Sequence, residues 1–99
     1  MNKSNWYVVK EDDRYVVLDN KELNKLVPSI TKLNPHKATS GHSHDGQEEV
    51  YVFTSGTGIM QINDHKFEVN KGDVIPVPDG AFHRAVSYTH LTLPTKSSG

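Results

Sequence analysis

From Asn5 onward the chain repeats one pattern, a short run rich in Val, Ile, Tyr and Phe followed by a polar break. The runs "NWYVVK" and "RYVVLD" flank the polar turn "EDD", which predicts a β-hairpin. The next segment, "NKELNKL", predicts one or two helical turns with Asn20 as N-cap. "VPSITKL" reads as a strand closed by the turn "NPHK". "EEVYVFTS" alternates until "TSGTG" breaks it, and "GIMQIN" and "KFEVN" flank "NDH" as a second hairpin. Pro76 and Pro78 in "VIPVPDG" remove ladder donors, so this strand belongs at an edge or a bend. Asp79-Gly80 then supplies a left-handed turn that aims "FHRA" inward. Many short strands at regular spacing predict an all-β chain, a small barrel or double-sheet sandwich.

Composition narrows the class. With 99 residues there is room for one core. The 11 basic and 12 acidic residues are interspersed, so no nucleic-acid or membrane partner is expected. Absence of cysteine excludes disulfides and thiolate metal sites. The N-terminal stretch lacks the apolar run of a secretion signal, and the expected location is the cytoplasm. The edges offered by "NWYVVK" and "RYVVLD" must be paired or covered, which predicts a homodimer.

The segment "GHSHDGQEEVYVFTSGTG" carries chemistry that a hairpin does not need. In extended backbone, side chains two residues apart share a face, so His42 and His44 project together. After the Asp45-Gly46 turn the chain returns, and alternation can bring Glu49 beside the imidazoles. His83 is a fourth candidate, on the strand after "PDGAF". Three imidazoles and a carboxylate suit a borderline divalent metal such as Zn, Fe, Mn or Ni. Glu48, on the opposite face from Glu49, points to solvent. Tyr51 and Phe53 share Glu49's inward face, with Val50 and Val52 facing outward. Tyr51 either fills the barrel or, beside the metal, acts as a proton donor or substrate contact. Gln61 reads as a wall residue, His36 and His65 as turn residues, and Arg84 as facing away from the metal.

These residues give the chain its resemblance to small single-domain cupins. The first cupin motif, G-x5-H-x-H-x3,4-E-x6-G, appears as His42, His44, Glu49 and Gly56, with His36 where the motif opens on glycine. The second, G-x5-P-x-G-x2-H-x3-N, appears as Gly72, Pro78, Gly80 and His83, with Ser87 in place of the closing Asn. The spacing from His44 and back from Gly56 selects Glu49 over Glu48 as the ligand. The resemblance implies a jelly-roll barrel, with 1–35 as its N-terminal strands and 36–85 as the core holding both motifs. It also implies a metal at His42, His44, Glu49 and His83, with coordination positions left open for a small polar substrate or ligand. Three functions follow as expectations. One is a metal-dependent isomerase or epimerase of a sugar or sugar phosphate, with Tyr51 as the available acid–base group. The others are a non-haem iron dioxygenase and a non-catalytic sugar-binding module.

Residues 86–99 stand apart. "VSYTHLTLPT", from Val86 to Thr95, can be encoded by a nucleotide string that resembles the transposase end and adapter used in tagmentation sequencing libraries. Ala85 is among the few residues whose codons end as that adapter begins. The stretch is therefore expected to be non-native, replacing the last strand or strands of the barrel with a loosely packed end. Long-read resequencing of the locus decides its origin: a genomic stop codon directly after this stretch would end the adapter reading.

Overall fold

The computed structural model describes residues 5–98, and its strands run β1 (Trp6–Glu11), β2 (Tyr15–Asn20), β3 (Leu26–Leu33), β4 (Glu49–Val52), β5 (Thr57–Ile62), β6 (His65–Asn70), β7 (Val74–Val77), β8 (His83–Ser87) and β9 (Leu91–Ser98). They pair antiparallel into two sheets, six-stranded in the order β1-β2-β3-β9-β4-β7 and three-stranded in the order β6-β5-β8. The stretch 36–42 adds a margin to the second sheet along β8. There His36 N–H donates to the Ser87 carbonyl (3.1 Å) and Thr39 N–H to that of Ala85 (2.9 Å). His42 and His83 exchange both backbone bonds, at 3.2 and 2.9 Å.

The β1–β2 and β5–β6 hairpins fall where the polar breaks placed them. β7 lies at the sheet edge, bonded to β4 alone, as its prolines require. The inner faces of both sheets supply the core, in which Phe53, Leu33, Met60, Leu91, Leu93 and Val69 are fully buried. Each such side chain contributes about 1.5–3 kcal/mol by leaving water. Gly56 has a physical reason to close the first motif: its φ is +90°, and a Cβ there would collide with the backbone carbonyl of His90.

Two expectations are corrected. No helix forms after Asn20: the cap-like bond from Glu22 N–H to Asn20 Oδ1 (3.0 Å) does form, but it closes a local turn between β2 and β3. Six exposed residues with only Leu23 and Leu26 as apolar members bury no helical stripe. The loose C-terminal end is also not observed. Leu91–Ser98 forms β9, paired along its length with β3 and from Thr95 to Ser97 with β4. Leu91 and Leu93 alternate into the core, and Pro94 falls just before the pairing with β4 begins, where its missing N–H leaves no gap in that ladder. Gly99 lies outside the described residues. Among the described residues, no helix is long and apolar enough to cross a membrane.

Candidate metal centre

Backbone pairing brings the histidines together. Because His42 and His83 face each other across an antiparallel bridge, their side chains rise from the same side, with ring centroids 4.3 Å apart. His44, two residues on, packs its ring 4.6 Å from His42 and 6.3 Å from His83. Its backbone is clamped from the second motif: Gly80 N–H donates to the His44 carbonyl (3.1 Å), and Gly46 N–H donates to Asp79 Oδ1 (2.8 Å). The "HDG" and "PDG" turns are thus locked to one another. β4 provides Glu49 on its inward face and turns Glu48 out.

The donor atoms of His42, His44 and Glu49 all lie within 4.8 Å of one another. His83 sits beneath this trio, its Nε2 3.3 Å from Glu49 Oε2. His42 and His44 are exposed at the rim, whereas Glu49 and His83 are buried, so the cluster is closed below and open above. An open face of this kind is what a catalytic metal needs and a structural one lacks.

The cluster's hydrogen bonds test whether a cation fits. His83 Nδ1 lies 3.1 Å from the Ala81 carbonyl, a contact that requires the proton on Nδ1. In the neutral ring, Nε2 then carries a lone pair, and this buried atom has no hydrogen-bond partner among the described residues. A lone pair facing a carboxylate is repulsive unless a cation or a proton lies between them. His42 repeats the arrangement, with Nδ1 3.2 Å from the Ser40 carbonyl and Nε2 left free. Two imidazoles oriented through Nδ1, a third at the rim and a carboxylate suit a borderline divalent metal.

The protonation states agree. Burial lowers the His42 pKa, and the neighbouring His83 and His44 lower it further, so this ring stays neutral and ready to ligate. At His83 burial also acts downward, but Glu49 and the Ala81 carbonyl outweigh it and hold the imidazole above its ordinary value. Contact with His83 outweighs burial at Glu49 and keeps its carboxyl below the usual range. The proton held by His83 therefore competes with a metal for the same lone pair. Zinc binding is expected to release protons near neutral pH and to weaken steadily on acidification. Calorimetry in two buffers of different ionisation enthalpy measures this, and a buffer-independent heat would contradict it. The sign is opposite for the metal-free fold, where the His83–Glu49 contact stabilises below the ordinary imidazole pKa and is lost as pH rises through the raised one.

Tyr51 and Phe53 point inward on β4 and are buried, while Val50 is exposed. The Tyr51 ring lies 5.7 Å from that of His83. Burial first, and then the Glu49 carboxylate beside it, push the Tyr51 phenol far above its usual pKa. It holds its proton and can act as a donor only. Ser87, where the motif has Asn, is buried: its hydroxyl donates to the Asn34 carbonyl and accepts from Lys37 N–H (3.1 Å). His36, His65 and His90 are exposed and away from the cluster.

Above the cluster opens a cavity of about 540 Å³. Its walls include Tyr51, Met60, Leu93, Arg84 and, unforeseen from the sequence, Asp19 and Ser29. Arg84, on β8 between the buried His83 and Ala85, alternates outward to the groove beside Lys66, as expected, and only borders the cavity. The signal for Asp19 was present in the alternation of Tyr15, Val17 and Asp19, but "YVVLD" is apolar on both faces and does not say which one turns inward.

Comparison with known proteins places this arrangement in a family. Residues 29–92 match the cupin domain model. The uncharacterized protein MJ1618 of Methanocaldococcus jannaschii is 42% identical over 52 residues, covering 52% of this chain and 42% of that protein, so the match spans less than half of the relative's length. Among solved structures, an RmlC-like cupin from Shewanella frigidimarina superposes with a TM-score of 0.86 over 99% of this chain and 87% of its own, at 15% identity. KdgF from a Halomonas species does so with a TM-score of 0.81 over 100% of this chain and 91% of its own, at 17% identity. A family model matching most of the chain, a jelly roll of two antiparallel sheets and a His-His-Glu cluster at its open end agree: this chain belongs to the cupin family.

Proposed function

We propose that the chain is a metal-dependent isomerase or epimerase of a sugar or sugar phosphate. The observation that carries this reading is a buried phenol, Tyr51, that lines the open, partly polar cavity with its ring 5.7 Å from that of His83. His42, His44, Glu49 and His83 would hold the metal. A divalent cation held there would polarise a substrate carbonyl and acidify the neighbouring C–H, whose proton would leave to water at the open rim beside His42 and His44. The chain's own residues do the rest. Burial of Glu49 and His83 excludes water from below, and the apolar wall at Met60 and Leu93 limits how the substrate lies. Tyr51, which keeps its proton at neutral pH, would be the group that delivers a proton to a substrate atom at the cluster.

A second reading, a sugar-binding module without catalysis, is favoured by a different observation. Among the described residues, the titratable groups found against the cluster are its own ligands and Tyr51, with no independent base beside them. Loading the protein with Zn, Mn, Fe(II) or Ni and following aldoses, ketoses and their phosphates by NMR in D₂O separates the readings. Exchange of the C–H next to the carbonyl, under argon as well as air, is the expected result. Saturable binding without exchange would establish the binding module, and substrate-dependent oxygen uptake would establish a dioxygenase.

A further inference from the structure

The cavity contains a second carboxylate that the metal cluster does not use. Asp19 lies on β2 and faces inward with Tyr15 and Val17. Its cross-strand neighbour on β3 is Ser29, whose hydroxyl donates to Asp19 Oδ1 at 2.6 Å. That bond orients the carboxylate and leaves Oδ2 as an acceptor. Among the described residues Asp19 forms no ion pair. Lys10, which also lines the cavity, instead places its ammonium over the Tyr15 ring, 5.3 Å from the centroid.

Asp19 and Ser29 also begin a polar row across the inner face of the six-stranded sheet. Ser29 is opposite Thr95 on β9, and Thr95 is opposite Tyr51 on β4. From Asp19 to Tyr51 is three strand spacings, about 14 Å along the sheet. The two ends of this row have opposite appetites. The cluster takes oxygen lone pairs, from a carbonyl or a carboxylate. A half-buried carboxylate without a cation takes O–H or N–H donors, and its hydrogen bonds are the stronger, charge-assisted kind.

We propose that Asp19, oriented by Ser29, is the distal anchor of the substrate, accepting hydrogen bonds from hydroxyl groups of a polyhydroxylated chain whose carbonyl or carboxylate end lies at the metal cluster. This rests on the metal-dependent sugar reading above and adds to it an elongated, open-chain ligand selected by hydroxyls far from the reacting end.

Two six-carbon acids that meet zinc through the same α-hydroxycarboxylate probe this on the zinc-loaded full chain by calorimetry: gluconate, with a hydroxyl on each carbon beyond the carboxylate, and 2-hydroxyhexanoate, with only the one beside it. Wild type is expected to prefer gluconate by about tenfold to a hundredfold, the usual range for a hydrogen bond to a charged group. Asp19→Ala erases the preference, Asp19→Asn retains part of it, and 2-hydroxyhexanoate binding and zinc affinity stay unchanged in both. Thermal melts confirm folding, and Asp19→Asn, nearly isosteric, carries the test if the alanine variant does not fold. A gluconate preference that persists in the variants, or its absence in wild type while both acids still bind through zinc, overturns the role of Asp19 and leaves the metal reading standing. Failure of both acids to bind the zinc-loaded wild type overturns both.

Discussion

Replacing His44 by alanine is expected to abolish tight metal binding while leaving the metal-free protein as stable as before. The ring is exposed at the rim of the cavity, against the ring of His42, so its loss opens no hole in the core. Removing a donor should weaken binding by more than the roughly 10–100-fold that changes in a ligand's hydrogen-bonding partners cost. With free zinc at 100 times the wild-type dissociation constant, binding adds about 2.7 kcal/mol to wild-type stability. A variant binding 100-fold more weakly gains only about 0.4 kcal/mol under the same conditions. Denaturant titrations with zinc and with EDTA measure both terms. Equal zinc stabilisation of wild type and His44→Ala would remove His44 from the ligand set. His83→Ala is less clean, because His83 is 2% exposed and its removal also leaves a cavity.

The second large effect belongs to β9. Leu93 is 1% exposed, packs in the main core and also walls the cavity. Leu93→Ala should cost about 2–5 kcal/mol. For a domain of this size each kcal/mol lowers Tm by about 4–8 °C, so a drop of ten degrees or more is expected. Thr92, next in the strand, faces the other way and is tied in through its backbone, by bonds from Thr54 N–H and to Ser55 O at 3.0 Å each. Thr92→Ala should therefore stay within about 0.5 kcal/mol of wild type. If the two variants melt alike, Leu91–Ser98 does not hold the core together as described.

Where side-chain spacing carried the information, the sequence was readable. His42 and His44 lie two positions apart, enough to point at a shared face once the backbone is extended, and the Asp45-Gly46 turn signals the return that brings Glu49 back to them. The prolines of β7 announced an edge because a missing N–H is a local fact. Asp19 and β9 were not readable, for one common reason. Both depend on which strands become neighbours: "YVVLD" is apolar on both faces, and the alternation of Leu91, Thr92 and Leu93 is too short before Pro94 to declare a strand by itself. Asn20 failed differently: its side chain made the predicted bond to Glu22, but no buried stripe followed to extend that turn into a helix.

The position of β9 also governs the order in which the molecule can assemble. β1, β2 and β3 form one meander and β4 and β7 another, and the six-stranded sheet joins them only through β9. Leu33 must meet Leu91, and Leu26 must meet Ser98, from opposite ends of the chain. During synthesis on the ribosome the two meanders stay unjoined until residues 91–98 have emerged, with β3 and β4 each presenting an unpaired edge in the meantime. Sheet closure is thus a late, long-loop event, which places folding in the millisecond-to-second regime of high contact order and makes the nascent chain a natural client for chaperones that shield strand edges.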